Sequence, residues 1–420
     1  MRYEQYQWPC FCPIMASMSL KLKARKYWHL VKTGWLNGLP ASYRYGQPAK
    51  KLKIYGITGT DGKTTSSTLL YHVLKESGKS AALISTVAAF IGAEKIDTGF
   101  HVTSPDPAAL QRLLNRCVEA GIAEVVLEVT SHGLYQNRVW GVPFELVGIT
   151  NVTSEHLDYF ETWDKLVEVK GSIFKKAKQA VLNQDDKSFA KLKALAKQAN
   201  CPVTTFPQEL PSGKVGRAVA KRFTEPYNQW NAHLIWKMAK LIGISDVEFI
   251  KAVKSFPGIK GRMEEIPNDL GIKVIVDFAH TSHGLESVLN TLREQTNGKL
   301  IAVYGCAGLR DRSKRPRMGE IGSRIADLAI FTAEDPRTED VQVIMRQMKE
   351  GVKAPNHHKV MTIADRQQAI NQAIELAKKG DTVALLGKGH EESMCYGKVE
   401  QIWSDQSAVI SAIEARTSNN

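Results

Sequence analysis

Short apolar stretches alternate with longer amphipathic stretches along most of the chain. Residues 52–57 form an apolar run of strand length, which leads through a Gly-rich turn into residues 64–76, and Gly78 follows at once. Apolar runs of this length predict buried strands, whereas longer stretches with helical periodicity predict helices that end near a glycine. The first unit of the chain is therefore a strand, a turn and a helix.

The same alternation recurs in two blocks separated near Pro257-Gly258. The first block adds predicted strands at 81–85, 124–128 and 146–150 and a helix at 107–120. The second has predicted strands at 273–277, 300–304, 328–332 and 382–386 and helices at 284–294 and 366–378. Such alternation predicts parallel sheets covered by helices. We expect an α/β protein with a short N-terminal segment (1–50), a central P-loop ATPase domain with a mostly parallel sheet (51–256) and a C-terminal Rossmann-like α/β domain (257–420).

The N-terminal segment has a different pattern. Residues 7–20 are apolar-rich and precede four basic residues, the reverse of the order in a signal peptide. Residues 26–45 interleave aromatic and basic side chains, a mixture suited to a membrane interface or to a short helix that packs its aromatic side chains on the next domain; we favour the packed helix. No apolar run approaches the length of about 18 residues that a membrane span needs.

Composition narrows the class only slightly. The chain has 420 residues, 43% of them hydrophobic, with a formal net charge of +13. A basic balance suits an anionic substrate, nucleic acid or an anionic membrane surface, and equally a merely soluble protein. The six cysteines show neither C-x-x-C spacing nor a Cys/His array, which favours a reducing compartment. We therefore expect a cytoplasmic protein.

The turn after the first strand carries the strongest chemical signal. Backbone N–H groups of a Gly-rich turn at a helix start bind phosphate, a neighbouring lysine reaches the terminal phosphates, and a hydroxyl binds Mg²⁺. Position 57 holds Ile57 where the strict Walker pattern has glycine. A chance Gly-Lys-Thr turn is the alternative. The predicted nucleotide-binding residues are Gly59, Thr60, Asp61, Gly62, Lys63, Thr64 and Thr65.

The variant G-T-x-G-K-T-T resembles the Mur ligase family, and further segments agree in order. They cover roughly residues 52–412. The central segments with this resemblance are Thr103-Ser104-Pro105-Asp106, Glu128-Val129-Thr130-Ser131-His132 followed by Gln136 and Arg138, Thr150-Asn151, His156-Leu157-Asp158-Tyr159, and Lys170. The later ones are Tyr227-Asn228-Gln229-Trp230-Asn231, Gly261-Arg262-Met263-Glu264, Asp277-Phe278-Ala279-His280, Gly305-Cys306-Ala307-Gly308 with Arg310, and Gly387-Lys388-Gly389-His390-Glu391.

The resemblance implies roles for these residues. It implies ATP and Mg²⁺ as cofactors, with catalytic Lys63, Lys170 and His156, and a Lys170 carbamylated by CO₂. The implied metal ligands are Thr64, Glu128 and His156; the further nucleotide contacts are Asn228, Asn231, Arg262 and Asp277; the implied acceptor contacts are Thr103, Ser104, Ser131, Gln136 and Arg138. Taken singly, each has an ordinary alternative: a solvated carboxylate, a structural histidine or a surface lysine.

The later motifs resemble the subgroup that adds the third residue of the peptidoglycan stem peptide. The segment Glu334-Asp335-Pro336-Arg337 stands where that subgroup has Asp-Asn-Pro-Arg with meso-diaminopimelate. Arg337 favours this diacid because a guanidinium pairs well with a carboxylate. Glu334 and Asp335 add negative charge, which favours L-lysine, and a surface ion pair of Arg337 with Glu339 or Asp340 is a third reading. Arg310, Gly387 and Glu391 complete the implied amino-acid contacts.

We therefore expect an ATP-dependent amide ligase acting through an acyl phosphate, with a muropeptide precursor and an amino acid as substrates. We expect a monomer without a nucleic-acid partner, and weak membrane-surface contact through residues 21–45 as the alternative to the packed helix. The family has a substantial N-terminal domain for the uridine nucleotide, but here the first strand begins near residue 52, which questions direct UDP recognition. The competing functions are a folylpolyglutamate-type ligase and a nucleotide-gated binding protein.

Overall fold

The computed structural model describes residues 28–96, 105–153 and 157–418. Two sheets organise these residues. The strands of the first are β1 Lys53–Thr58, β2 Ala81–Ile84, β3 Ala89–Ile91, β4 Glu94–Ile96, β5 Glu124–Glu128, β6 Leu146–Ile149, β7 Ala180–Asn183 and β8 Val203–Phe206. Those of the second are β9 Glu264–Glu265, β10 Lys273–Asp277, β11 Leu300–Tyr304, β12 Leu328–Phe331, β13 Val360–Thr362 and β14 Thr382–Leu386. A separate two-stranded sheet pairs β15 Ser393–Tyr396 with β16 Val399–Ile402.

Helices cover these sheets. In the first half of the described chain they are Leu30–Gly38 (a π-helix), Leu39–Arg44, Pro48–Lys51 (3₁₀), Lys63–Glu76, Pro107–Glu119, Ser131–Tyr135, Leu157–Phe160, Trp163–Gly171, Ser172–Lys176 (3₁₀), Phe189–Gln198 and Lys214–Arg222. The remaining helices are Pro226–Ile242, Asp246–Ser255, Ser282–Gln295, Lys314–Ile325, Val341–Lys349, Ala354–Lys359 (3₁₀), Arg366–Leu376 and Asp405–Ser418.

The first sheet has the strand order β4-β3-β2-β5-β1-β6-β7-β8. Strands β2, β5, β1, β6, β7 and β8 are parallel, and β3 and β4 add an antiparallel edge. One apolar cluster lies on each face of this sheet, because its central strands carry buried side chains on both sides. Strand β1 is central, so the turn that follows it opens at the carboxyl edge between neighbouring strands.

The second sheet has the order β13-β12-β11-β14-β10-β9, parallel except for β9. It also has an apolar cluster on each face. The α/β class with mostly parallel sheets is thus confirmed. Strands β5, β10, β11 and β14 have the predicted bounds, and the other predicted strands and helices differ by at most two residues at an end. The boundary predicted near Pro257 falls between the two sheets.

The N-terminal part of the described chain is helical. Its small residues Gly34 and Gly38 face the indole of Trp140, where a Cβ would overlap the ring. Trp35 also contacts Trp140, with ring centroids 6.3 Å apart. The segment therefore packs on the first sheet's helical layer, as in the favoured alternative, but it does so through glycines. Its larger apolar side chains remain exposed. Residues 1–27, which include most of the predicted basic run, lie outside the described residues.

Candidate active site

The turn between β1 and the helix Lys63–Glu76 is closely held by the residues that follow β6. The backbone N–H of Thr60 donates to the Asn151 carbonyl at 2.9 Å, and that of Asp61 donates to Asn151 Oδ1 at 3.1 Å. The Thr150 hydroxyl donates to the Asp61 carbonyl at 2.7 Å. These contacts join residues about 90 positions apart, and they hold the turn open at the helix start.

Two glycines are required for this geometry. Gly59 has φ +148° and Gly62 has φ +80°. A Cβ at Gly59 would overlap Thr150 Oγ1, and one at Gly62 would overlap the amide of Asn231. Among the described residues no side chain caps the helix start, so its first N–H groups point into the turn. An uncapped helix N-terminus beside a Gly-rich turn suits a phosphate group.

A pair of buried oxygen donors lies next to this turn. The Thr64 hydroxyl donates to Glu128 Oε1 at 3.2 Å, and both side chains are buried. The Thr86 hydroxyl and backbone N–H also donate to the Glu128 carboxylate, at 2.8 and 3.2 Å. Hydroxyl and carboxylate oxygens are the donors that Mg²⁺ prefers, so Thr64 and Glu128 fit the predicted metal site. The third predicted ligand, His156, lies outside the described residues.

Lys170 is brought to the same turn. Its side chain is fully buried, and Nζ donates to the Gly59 carbonyl at 2.6 Å. The second predicted catalytic lysine, Lys63, has its Nζ 2.5 Å from the Thr60 carbonyl. Both lysines thus contact backbone carbonyls of the turn: Lys63 does so from the helix that follows the turn, and Lys170 from the helix Trp163–Gly171. Lys170 is not a surface lysine, and the ordinary alternative for it is wrong.

The second sheet contributes a cation to this region. Arg262 Nη2 donates to the Thr64 hydroxyl at 3.4 Å, and its guanidinium lies 4.3 Å from the centroid of the Phe278 ring. The buried Arg262 Nε has no partner among the described residues, and the same is true of Tyr227 Oη and His390 Nδ1. Unpaired buried polar atoms are costly, so three of them in one region indicate a polar ligand.

Asp277 shapes the position of Arg262. Its carboxylate accepts from the N–H of Met263 at 2.7 Å and of Ala279 at 2.8 Å. Burial raises the pKa of Asp277, and the charge of Arg262 opposes that rise. Burial lowers the pKa of His280 to about 3, so this imidazole is neutral near pH 7. Asp277 therefore holds backbone beside Arg262.

The predicted nucleotide residues Asn228 and Asn231 lie at the start of the helix Pro226–Ile242. Asn231 Nδ2 donates to Asn228 Oδ1 at 3.4 Å, and Asn228 Nδ2 donates to Glu225 Oε2 at 3.1 Å. Asn231 also lies against Gly62. These two amides are thus adjacent to the turn at residues 59–62, which we call the phosphate-binding turn after its predicted role.

Three of the predicted acceptor residues follow β5. Gln136 Nε2 donates to Tyr159 Oη at 3.2 Å, and Arg138 Nε donates to Gln136 Oε1 at 2.9 Å. Burial lowers the pKa of Arg138, and the charges of Asp106 and Tyr159 oppose this. Ser131 is buried at the start of the helix Ser131–Tyr135. The structure therefore joins Gln136 to Arg138 and places Ser131 in the helix just before them, whereas Thr103 and Ser104 lie outside the described residues.

The predicted amino-acid site lies at the carboxyl edge of the second sheet. Asp335 Oδ1 accepts from Lys388 Nζ at 2.8 Å, and Lys388 Nζ lies 2.5 Å from Glu391 Oε2. Arg337 Nη1 donates to the Gly308 carbonyl at 2.8 Å, and its Nη2 lies 3.7 Å from Asp335 Oδ2. Two cations and two carboxylates thus alternate here. The suggested ion pair of Arg337 with Glu339 is wrong, because Glu339 pairs with other arginines.

Glu334 completes this site. It is buried against Gly387, where a Cβ would overlap Oε2, and burial raises its pKa to about 7. At neutral pH this carboxyl is therefore only partly charged. The predicted contact Arg310 is exposed. Since Asp335 is paired with Lys388, which it shares with Glu391, and Glu334 is only partly charged, the negative charge that favoured L-lysine is partly offset.

Sequence reasoning missed three residues that the structure places in this region. Thr86 binds Glu128 without belonging to any motif, so no sequence signal marks it. Lys388 lies in a motif but was not expected to pair with Asp335. His283 Nδ1 lies 2.9 Å from Asp61 Oδ2 and so joins the second sheet to the phosphate-binding turn. The motif containing Lys388 could have marked that residue in advance.

The chain resembles two domain models and several known ligases. Residues 57–239 match the Mur ligase middle domain, and residues 261–389 match the Mur ligase glutamate ligase domain. A UDP-N-acetylmuramoyl-L-alanyl-D-glutamate–2,6-diaminopimelate ligase from Clostridium botulinum is 38% identical over 84% of this chain and 76% of its own length. The enzyme of the same name from Bacillus velezensis is 36% identical, over 83% and 75%.

Solved structures agree with these sequence matches. A structure of a UDP-N-acetylmuramoyl-L-alanyl-D-glutamate–2,6-diaminopimelate ligase has a TM-score of 0.59 and 29% identity, covering 90% of this chain and 82% of that one. Escherichia coli FolC in complex with DHPP and ADP has a TM-score of 0.66 at 17% identity, covering 94% and 98%. The latter likeness shows the fold alone. The identity with the curated ligases, over most of both chains, shows that this protein belongs to the Mur ligase family of ATP-dependent, amide-bond-forming ligases.

Proposed function

We propose that this protein joins meso-diaminopimelate to a peptidoglycan precursor peptide in the cytoplasm, with ATP as the energy source. The observation that carries the proposal is the paired state of Asp335. Lys388 is the nearer partner of Asp335, at 2.8 Å, whereas Arg337 lies 3.7 Å from that carboxylate, so its guanidinium can pair more closely with the second carboxylate of a diacid. L-Lysine, which has an ammonium group in that place, is the alternative substrate.

The reaction we propose has two steps. The acceptor carboxylate attacks the γ-phosphorus of ATP, and ADP leaves with its electron pair, giving an acyl phosphate. The α-amine of the amino acid, after losing a proton, attacks the acyl carbon, and inorganic phosphate leaves. The helix start at Lys63 and the guanidinium of Arg262 offset charge on the transferring group. We propose that the acceptor contacts are Ser131, Gln136 and Arg138.

Thr64 and Glu128 would hold Mg²⁺, with His156 as the further ligand that we propose. A bound Mg²⁺ would supply positive charge to the phosphate oxygens. The protein's own contribution is to keep the two oxygens buried and close, which Thr86 supports by donating to the carboxylate. Arg262 adds a fixed cation on the other side of Thr64.

We also propose that Lys170 is carbamylated. A carbamate keeps one N–H, which preserves the donor that now binds the Gly59 carbonyl. It also replaces a buried ammonium by an anion beside the phosphate-binding turn, where Mg²⁺ would be held. Lys170→Ala should lower turnover sharply, and ¹³CO₂ should give a carbamate carbon resonance in the wild type that the variant lacks. Unchanged turnover and the same resonance in the variant would reject the modification.

The ligase proposal is tested by phosphate release in the presence of ATP, Mg²⁺ and a UDP-linked muramoyl dipeptide. We expect release to require both the acceptor and an amino acid, with meso-diaminopimelate preferred over L-lysine. Release with a folate acceptor and glutamate instead would support the folylpolyglutamate-type alternative. Release that ignored every amino acid would contradict a ligase. Sedimentation analysis of the same sample tests the proposed monomer.

A further inference from the structure

The helical segment between residues 28 and 45 has its large apolar side chains on the outside. Among the described residues, twelve large hydrophobic side chains are exposed, and five of them lie within residues 28–43. These five, which we call the N-terminal apolar stripe, are Trp28, Val31, Trp35, Leu36 and Tyr43. Single exposed apolar residues are common, but five within residues 28–43 of one helical segment indicate an interaction surface.

The arrangement of buried and exposed side chains in this segment is the reverse of that in an ordinary surface helix. Such a helix buries its large apolar side chains and exposes its small and polar ones. Here Gly34, Gly38 and Ala41 are on the packed side, and the two glycines enclose the Trp140 ring. Trp35 is 57% exposed and Leu36 is 66% exposed. Packing on the first sheet therefore does not explain the large residues of this segment.

Charge indicates what the stripe contacts. From residue 5 to residue 60 the sequence contains no aspartate or glutamate. The same stretch contains nine basic residues: Lys21, Lys23, Arg25, Lys26, Lys32, Arg44, Lys50, Lys51 and Lys53. Of these, the five in the described part of the chain are all exposed. A surface of this charge attracts anionic partners and repels a second copy of itself.

We propose that the N-terminal apolar stripe docks the protein peripherally on an anionic lipid bilayer. Tryptophan and tyrosine favour the membrane–water interface, and aliphatic neighbours such as Val31 and Leu36 add apolar area that enters the acyl boundary. Basic residues near an anionic leaflet each strengthen such binding. The aliphatic members also favour lipid over single-stranded nucleic acid, which needs flat rings for stacking. Among the described residues, no helix could cross a bilayer.

The location of the stripe relates to the active site. The same segment contacts the region after β5, since the rings of His29 and Tyr135 lie 6.1 Å apart. That region holds Gln136 and Arg138, the acceptor contacts of the proposed function. If that function holds, docking brings the acceptor-binding region close to the bilayer surface. Lipid binding itself does not depend on ligase activity.

Vesicle co-sedimentation of the full chain tests the proposal. We expect binding to phosphatidylglycerol-rich vesicles, little binding to pure phosphatidylcholine vesicles, and release at high salt. The double variant W35S/L36S should lower the bound fraction about fivefold or more, because apolar area is lost. Lys50→Gln with Lys51→Gln should weaken binding at low salt only. The matched control V247S/I402S removes two exposed apolar residues elsewhere, 78% and 99% exposed, and should bind as the wild type does.

Several results would overturn the proposal. Equal binding of wild type and W35S/L36S, or equal binding to both kinds of vesicle, excludes docking through the stripe. A concentration-dependent dimer that the double variant abolishes would assign the stripe to a second copy, and competition by RNA would assign it to nucleic acid. The melting temperature identifies a variant that fails to fold, and the lysine variants then still decide the outcome. Phosphate release, measured in parallel, separates a failure of docking from a failure of the ligase proposal.

Discussion

At the scale of single residues, the site depends on a few buried polar contacts. Glu128 accepts from two side chains and one backbone N–H, Lys170 donates to the Gly59 carbonyl, and Asp335 pairs with Lys388. In each case the hydrogen bond or ion pair within the protein holds the charged side chain in one orientation. Preorganised charge of this kind lowers the cost of arranging groups around a developing negative charge.

Replacing Glu128 by glutamine tests the metal site. The change keeps the shape of the side chain but removes the charge that would bind Mg²⁺. We therefore expect turnover to fall about 100-fold and the Mg²⁺ concentration needed for half-maximal turnover to rise. Phosphate release as a function of Mg²⁺ concentration measures both. Glu124→Gln is the control, because Glu124 is a buried carboxylate at the other end of the same strand and pairs with Lys79 at 3.1 Å. Equal losses in both variants would indicate a structural role for Glu128.

Arg337→Lys tests the choice of amino acid. Lysine keeps the charge but cannot form a bidentate pair with a carboxylate, so kcat/KM for meso-diaminopimelate should fall about 100-fold. The value for L-lysine should change little. Arg312→Lys is the control, because Arg312 is 63% exposed and pairs with Glu339 at 3.2 Å. If kcat/KM falls to the same extent for both amino acids, Arg337 does not select the diacid.

At the scale of elements, strand β1, its turn and the helix Lys63–Glu76 act as one unit. Gly59 and Gly62 permit the positive φ and the close approach of neighbouring side chains that the predicted phosphate-binding turn requires. Its shape is also determined from outside, by Thr150 and Asn151 after β6. The sequence predicts the turn, and the neighbouring strand gives it its geometry.

Gly59→Ala should therefore disrupt nucleotide binding. The added Cβ would overlap Thr150 Oγ1 in a backbone conformation that alanine rarely adopts, so we expect the KM for ATP to rise about tenfold or more. Gly78→Ala is the matched control, since Gly78 also has positive φ (+73°) but no atom lies within 4 Å of the new Cβ. That variant should lose some stability and keep its KM for ATP. A normal KM in Gly59→Ala would show that the turn can relax.

At the scale of the whole molecule, two polar contacts link the second sheet to the phosphate-binding turn. Arg262 reaches Thr64, and His283 reaches Asp61. The hydrogen bond with Asp61 raises the pKa of His283, although burial opposes it. Burial acts to raise the pKa of Asp61, but the hydrogen bond and charge of His283 outweigh it and the pKa is lowered. The pair is thus charged over a wider pH range than either group alone.

This pair predicts a pH-dependent stability. The stabilisation by His283 is complete below its ordinary pKa of about 6.5 and is lost as pH rises through the raised value. The stabilisation by Asp61 is complete above its ordinary pKa of about 3.9 and is lost as pH falls through its lowered pKa in the folded protein. His283→Gln should therefore lower the melting temperature between these limits and match the wild type at alkaline pH. The effect should stay below about 1 kcal/mol, because the His283 side chain is 53% exposed.

The control for this prediction is His72→Gln. His72 Nε2 lies 3.0 Å from Ser255 Oγ, and burial lowers rather than raises its pKa. Removing it should not reproduce the loss of stability centred between pH 4 and 6.5. A difference between wild type and His283→Gln that persisted unchanged at alkaline pH would contradict an ionic contact.

The sequence by itself predicted eight of the sixteen strands in the described chain, four of its helices, the α/β class and the family, because hydrophobic periodicity and short motifs are local. It also marked Lys63, Glu128, Lys170 and Arg337 as candidate site residues, whose roles stay predictions. Only the tertiary structure decided which of these residues meet and in what charge state. Thr86 reaches Glu128, Lys388 pairs with Asp335 and His283 reaches Asp61 across 42, 53 and 222 positions. Such contacts depend on how the sheets and helices pack, and so does the outward direction of Trp35, which no local pattern specifies.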